Sequence, residues 1–471
     1  MKILLLNPPY RSGFIRTARS TWMPISNSNW YPIYLGYTAG ALEQHGHTVK
    51  LIDACVVPGR TRESVVNEAG AFKPGLSVLY ISSRTLANDL EVAAAIKAAT
   101  GAPVVFVGPW CFGLAREILQ AGPTVDAVVR HEIEPPVVDL ADGQPLEQVL
   151  GITWQRDGTI TENPNRPFMT PQELDRLPFV TDIYRRHLNI NAYREGSLHY
   201  PYVDLFAGRG CFWGLCTFCI WPQTISRDGG YRMRSLDNVL EEFRFIQREL
   251  PHVKDIFFQD DALLPEFARA FSEAVLKTRM AISWSGYARP NFDRETLVLM
   301  KRAGCHCLHV GYESGSMQIL KTIRKGVNPD TMVRFTRDAK RAGIQIHGDF
   351  LLGSPGETTE TLQETVAFAK SLNLAVYQFL ICDPYAGTVV DDQFKHQAAH
   401  TGNGNGNGTN GNGGLSHEQL VGWKIRAYQS MYLRPRALYN VLSQCRSFSE
   451  LQTFLWSGWN LARNVLMKTY E

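Results

Sequence analysis

Short apolar runs, each followed by a helical stretch, recur along this chain in two separate series, and that alternation limits the folds open to it. The first series opens with KILLLNP at 2–8, an apolar run ending in Pro-Pro. A helix over 33–46 follows, then TVKLIDA (48–54), a helix over 62–72, LSVLYIS (76–82) and an Ala- and Leu-rich helix over 86–99. PVVFVGP (103–109) and VDAVVRHE (125–132) are two further strands with a helix between them. Unbroken apolar strands alternating with helices predict a doubly wound parallel sheet, an α/β fold of the Rossmann kind, over 1–145. Ligands of such sheets bind beyond the strand C-termini, here residues 7–10, 53–55, 82–84, 108–110 and 131–134.

A polar connector over 146–199 leads to the second series, over 200–395. VDLFAGR, IFFQDD (256–261), ISWSGYARP (282–290), CHCLHVGYES (305–314), IQIHGDFLLG (344–353) and AVYQFLICDPY (375–385) read as six strands. Helices are predicted near 236–250, 265–278, 293–303, 329–342 and 358–372. Six βα units are too few for a closed eight-stranded barrel, so an open, partial (β/α)6 barrel is expected. HTGNGNGNGTNGNGG at 400–414 has no residues that build a core, which makes 396–415 a linker. Residues 416–471 read as a small helical region with an aromatic end (Phe454, Leu455, Trp456, Trp459, Leu461). Seven Lys and Arg against three Asp and Glu over 415–471 leave membrane-surface contact open beside simple docking on the barrel.

Composition removes several classes. A net charge of +3 over 471 residues gives no global reason to bind nucleic acid. Charges interrupt every apolar stretch before it reaches a bilayer-spanning length. MKILLLNPPY lacks the length and the small-residue cleavage site of a signal peptide, so it reads as a buried strand and the protein as cytoplasmic. Nine cysteines, an odd number, do not make a disulfide framework.

Three of them, Cys211, Cys216 and Cys219, fall in GCFWGLCTFC directly after a strand. Thiolates bind iron–sulfur clusters, and a tight loop can present three of them to one [4Fe-4S] cubane, leaving one iron open. Gly208, Gly210 and Gly214 let the backbone close around it. The alternative is a structural zinc, which needs a fourth ligand; Cys305, Cys307 and His309 are the nearest nominees, on an apparent barrel strand. Alternation on the barrel strands puts Gln345, His347 and Asp349 on one face, and Ser285, Tyr287 and Arg289 on another. His347 and Asp349 are candidates for proton transfer, or a satisfied structural pair. Asp383 and Tyr385 end the last strand. Cys305, Cys307 and Cys382 read as packing residues.

The segment from 200 to 390 resembles the radical S-adenosylmethionine (SAM) superfamily. That family spaces its cysteines x3 then x2; here the first gap is x4. The resemblance implies metal ligation by Cys211, Cys216 and Cys219, with Phe218 near the SAM adenine. It puts Gln259, Asp260 and Asp261 near the SAM amino group, Glu313 and Ser314 near the ribose, and Gly353 and Pro355 near the adenine. Arg289 is then a candidate for the SAM carboxylate or a substrate anion, and His347, Asp349 and Tyr287 for the catalytic face. A doubly wound domain ahead of the barrel resembles the cobalamin-binding subfamily, which makes cobalamin a possible third cofactor. No Asp-x-His-x-x-Gly occurs to ligate cobalt. Trp221-Pro222-Gln223 resembles the hopanoid-biosynthesis and sugar-modifying branch.

The resemblance thus implies a cluster that cleaves SAM to a 5′-deoxyadenosyl radical, which abstracts hydrogen from an unactivated carbon. The expected substrate is a small sugar- or polyol-like natural-product intermediate undergoing dehydration, epimerisation or ring contraction. A cobalamin-dependent C-methyltransferase is the alternative, and a zinc-stabilised binding protein the second. The expected partners are that substrate and an electron donor such as flavodoxin or ferredoxin.

Overall fold

The computed structural model describes the chain apart from residues 12, 17–27, 58, 223–229, 402–414 and 433–471, and apart from the side chains of 396–401. Residues 402–414 of the expected 396–415 linker, the aromatic end near 454–461 and Gln223 therefore lie outside the described residues, while 396–401 are helical and not linker. The chain divides into two compact units. One comprises Met1–Glu195, Pro201–Gly210 and Ile220–Val253; the other comprises Gly196–Tyr200, Cys211–Cys219 and Lys254–Glu471.

The first unit begins with β1 (Lys2–Asn7), α1 (Ile33–Gln44), β2 (Thr48–Asp53), α2 (Arg62–Phe72) and β3 (Leu76–Tyr80). It continues through α3 (Leu86–Thr100), β4 (Val104–Val107), α4 (Cys111–Ala121), β5 (Ala127–Val129) and α5 (Glu134–Ala141). β6 (Ile152–Arg156) and β7 (Thr159–Glu162) complete one sheet of order β2-β1-β3-β4-β5-β6-β7. The pairs from β2 to β5 are parallel, as the buried apolar runs predict. β6 and β7 add as antiparallel strands, so part of the expected connector is sheet. β7 is half exposed and polar (TITE), which hides it from a search for apolar runs. The order reverses between β1 and β3, the switch point where such sheets open a crevice. Leu4, Leu6, Ile52, Val92, Val104, Phe106, Ile118 and Val128 form the core.

Next come α6 (Pro171–Arg176), α7 (Val180–His187), β8 (Tyr202–Leu205), the short antiparallel pair β9 (Gly208–Arg209) and β10 (Arg232–Met233), and α8 (Leu236–Glu249). Buried polar bonds tie these pieces to one another. The Tyr184 hydroxyl donates to Asp204 (2.8 Å), and the Thr181 hydroxyl donates to Glu242 (3.0 Å).

The second unit continues the alternation with β11 (Asp255–Phe258), α9 (Pro265–Thr278), β12 (Trp284–Ala288), α10 (Arg294–Arg302) and β13 (Cys305–Glu313). After these come α11 (Met317–Thr322), α12 (Pro329–Ala342), β14 (Gln345–Leu352), α13 (Thr359–Leu372) and β15 (Val376–Ile381). Strands β11 to β15 pair in chain order, all parallel. With β8, the alternating series has the six strands of the expected partial barrel. Local signals set the helix starts: Thr358 opens α13 with a capping box, and Asn328 caps α12 ahead of Pro329. α14 (Val389–Thr401) and α15 (His417–Tyr432) follow. α15 docks on β15, where the Tyr428 hydroxyl accepts from Phe379 N (3.0 Å) and the Tyr432 hydroxyl from Tyr377 N (2.9 Å). No helix among the described residues is long and apolar enough to cross a membrane.

Candidate active site

The three cysteines lie on one loop outside any disulfide, Cys216 buried and Cys211 and Cys219 half-buried. Gly210 (φ 90°) and Gly214 (φ 63°) bend that loop through the left-handed region. The loop is anchored to the turn after α11. Thr217 N donates to Ile323 O (3.1 Å), and the Trp213 indole donates to Arg324 O (2.9 Å). Gly326 faces the indole at φ +71°, where a Cβ would lie 2.0 Å from Trp213. Only glycine fits there. Arg289, at the end of β12, stacks its guanidinium 4.8 Å from the Trp213 ring, donates to Lys325 O, and stands 3.9 Å from the Cys216 sulfur. Burial pushes the Cys216 thiol up, while Lys325 and Arg289 pull it down.

These residues fit an iron–sulfur cluster. The donor set is three thiols outside any disulfide on one tight loop, the set that a cubane takes. One guanidinium, of Arg289, and one ammonium, of Lys325, stand by to balance thiolate charge. Gln259, just past β11, fits a polar ligand. Its amide is buried, and neither its oxygen nor its nitrogen has a hydrogen-bond partner among the described residues.

The other residues with expected SAM roles fall at the ends of the strands that the sequence gives them. Phe218 packs against the cluster of Leu351, Cys382, Val390 and Phe394. Asp260 is buried and Asp261 half-buried. Glu313 adopts φ 64° at an irregularity in β13 and accepts from Lys325 Nζ (2.8 Å). The Ser314 hydroxyl meets that of Thr365 at 2.8 Å. Gly353 N and Ser354 N both donate to Glu357, whose carboxyl burial pushes up to about 7. Pro355 is buried in the same turn.

His347 Nε2 and Asp349 Oδ1 are 3.6 Å apart. The register places Tyr287 beside His309 and His309 beside His347, so the three form one row across β12, β13 and β14. The Ser197 hydroxyl joins both imidazoles, at 2.7 Å from His309 Nε2 and 3.3 Å from His347 Nδ1. Ser197 was missed in the sequence, and His309 was weighed only as a zinc ligand; alternation on CHCLHVGYE could have drawn attention to the latter. A second buried group, Asp255, Ser285 and His306, has the composition of a nucleophile relay without its geometry. Ser285 Oγ (2.8 Å) and Asp255 Oδ2 (2.5 Å) approach the same imidazole nitrogen, Nε2. A relay needs one on each nitrogen.

In the first unit, Arg16 is fully buried and ties the crevice strands together. It bonds Asn7 (2.6 Å), Pro8 O (2.7 Å), Thr85 (3.2 Å) and Asp89 (2.9 Å). Asn7 and Tyr193 donate to Asp53, whose carboxyl burial pushes up to about 6. Tyr80, the last residue of β3, keeps a buried hydroxyl without a hydrogen-bond partner among the described residues, which fits a polar ligand group at the strand ends.

Comparison with known proteins agrees with both units. The family described as the Radical SAM superfamily matches residues 205–369, and the B12 binding domain matches residues 26–141. An uncharacterized methyltransferase of Pyrococcus horikoshii is 29% identical over 95% of this chain and 96% of its own length. The cytidylyl-2-hydroxyethylphosphonate methyltransferase of Streptomyces wedmorensis is 26% identical, over 82% of this chain and 80% of its own. The radical SAM methyltransferase TsrM of Kitasatospora setae, solved with cobalamin and a [4Fe-4S] cluster, superposes with a TM-score of 0.67. At 18% identity, over 84% of this chain and 75% of that one, this likeness concerns the fold. The superfamily match removes the reading as a non-enzymatic zinc protein, and the B12 match turns cobalamin from a possibility into a cofactor beside the cluster and SAM. The chain is a radical SAM enzyme with an N-terminal B12 binding domain.

Proposed function

We propose that the chain is a cobalamin-dependent radical SAM methyltransferase acting on a carbon of a small molecule. One observation carries this reading: the similarity to a methyltransferase runs through both domains, over 95% of the chain. The sugar or polyol rearrangement expected from the Trp-Pro-Gln stretch gives way to it, because the relatives compared above are methyltransferases. When bound, the cluster and SAM supply one-electron chemistry at the sulfonium, and cobalamin carries a methyl group.

The protein residues do the positioning. In this reading Cys211, Cys216 and Cys219 hold the cluster, and Arg289 braces the loop through Trp213 and Lys325 O. Gln259, Asp260 and Asp261 receive the SAM amino group, Glu313 and Ser314 the ribose, and Phe218, Gly353 and Pro355 the adenine. Methylation of a C–H carbon releases a hydrogen. Where it leaves as a proton, Asp349 is the base in this reading, with His347 and Tyr287 beside it on the catalytic face. A flavodoxin or ferredoxin is the expected reductant.

The test is anaerobic reconstitution with iron, sulfide, SAM and cobalamin. The bound cobalamin spectrum and S-adenosylhomocysteine among the products are expected. Protein that takes up no cobalamin and makes only 5′-deoxyadenosine would end the methyltransferase reading.

A further inference from the structure

Away from the cysteines, β13 and β14 bring two imidazoles to one point. The His309 and His347 rings lie 4.1 Å apart, and a nitrogen of each approaches the same Ser197 oxygen. One ligand atom from each ring lies within 4.8 Å of the other. The second nitrogen of His347 faces Asp349 at 3.6 Å. At 3.6 Å this contact is longer than a hydrogen bond; in metal-binding histidines one nitrogen points at the ion and the other donates to a carboxylate that fixes the tautomer, and Asp349 is the carboxylate nearest to that role. The Phe257 and Tyr287 rings enclose His309 edge-on, at 4.9 and 5.4 Å.

We infer that His309 Nε2 and His347 Nδ1 bind a divalent transition-metal ion of the kind that favours nitrogen ligands, with zinc(II) as the probe. The Ser197 hydroxyl stands at the same point as a third donor. Catalytic zinc sites keep a position open for an oxygen or nitrogen of the substrate. The ion then acts as a Lewis acid on a carbonyl, carboxylate or hydroxyl oxygen of the molecule being methylated. That consequence rests on the methyltransferase reading; the binding of the ion does not.

The experiment uses the full chain with cluster and cobalamin in place, so that the cysteines are occupied. The protein is washed with chelator, dialysed against graded zinc(II), and its zinc and iron are counted by mass spectrometry. One zinc per chain is expected in addition to the cluster iron. His309→Ala and His347→Ala should lose it while keeping their iron. Asp349→Asn should weaken it roughly 10–100-fold, the usual effect of removing the carboxylate behind a ligating histidine. Should a histidine variant fail to fold by circular dichroism, Asp349→Asn carries the test. No zinc in the wild type, or equal zinc in wild type and variants, overturns the proposal and leaves a Ser197-bridged histidine pair. Zinc counts are independent of methyl transfer, so a failed methylation assay with intact zinc binding condemns only the methyltransferase reading.

Discussion

Arg209 lies between two carboxylates, Glu132 at 3.1 Å and Glu134 at 2.6 Å, and all three side chains are at most 5% exposed. Arg232 shares Glu132 (2.9 Å), whereas Arg209 is the side-chain partner of Glu134 among the described residues. Removing one member of a buried ion pair leaves the other charged and desolvated, at a cost of about 3–5 kcal/mol. Arg209→Met, which keeps much of the packing, should therefore lower the unfolding free energy by that order in urea titrations. A loss below about 1 kcal/mol would mean that water reaches Glu134. Glu357 gives a pH signature. Its folded value of about 7 stands above the ordinary 4.5, so the folded state holds the proton more tightly than the unfolded chain. The contribution is fully present below 4.5 and is lost as pH rises through about 7. Thermal melts between pH 5 and 8 should fall with pH (about 5 to 8 spans that window), and Glu357→Gln should flatten the fall. An unchanged slope in the variant would assign the effect to other groups.

At the scale of elements, the turn at 323–326 decides the shape of the cysteine loop. Gly326→Ala puts a methyl where the Trp213 ring now lies and strains a left-handed residue, roughly 1–2 kcal/mol for the backbone alone. The indole must move, giving up its bond to Arg324 O and its stack under Arg289. The variant should reconstitute with much less iron per chain, measured colorimetrically, while its far-ultraviolet circular dichroism stays near wild type. Full iron content would show that the loop does not depend on this contact. Elements differ in how legible they are. Strands β3 and β4 are wholly buried apolar runs, and their periodicity is unmistakable. β6 and β7 are short and partly polar, and they join the sheet only because β5 leaves an edge for them to pair with.

For the whole molecule, the cysteine loop and the rest of the fold are separable. Cys216→Ala should abolish SAM cleavage, followed as loss of 5′-deoxyadenosine and S-adenosylhomocysteine, yet leave both units folded, because the loop is held by backbone bonds at Thr217 and by Trp213. Retained cleavage would refute the ligand assignment. By itself the sequence determined the order of strands and helices, the two sheet-building series, and the cysteine loop with its strand-end motifs. Each of these is written in a local period or spacing, and backbone geometry turns such periods into faces and turns. Only the tertiary structure decided what meets across distance: Arg16 with Asp89, Arg209 with Glu134, and Ser197 with His309 and His347. Those meetings depend on strand register and on where loops return, and register emerges from the packing of the whole sheet.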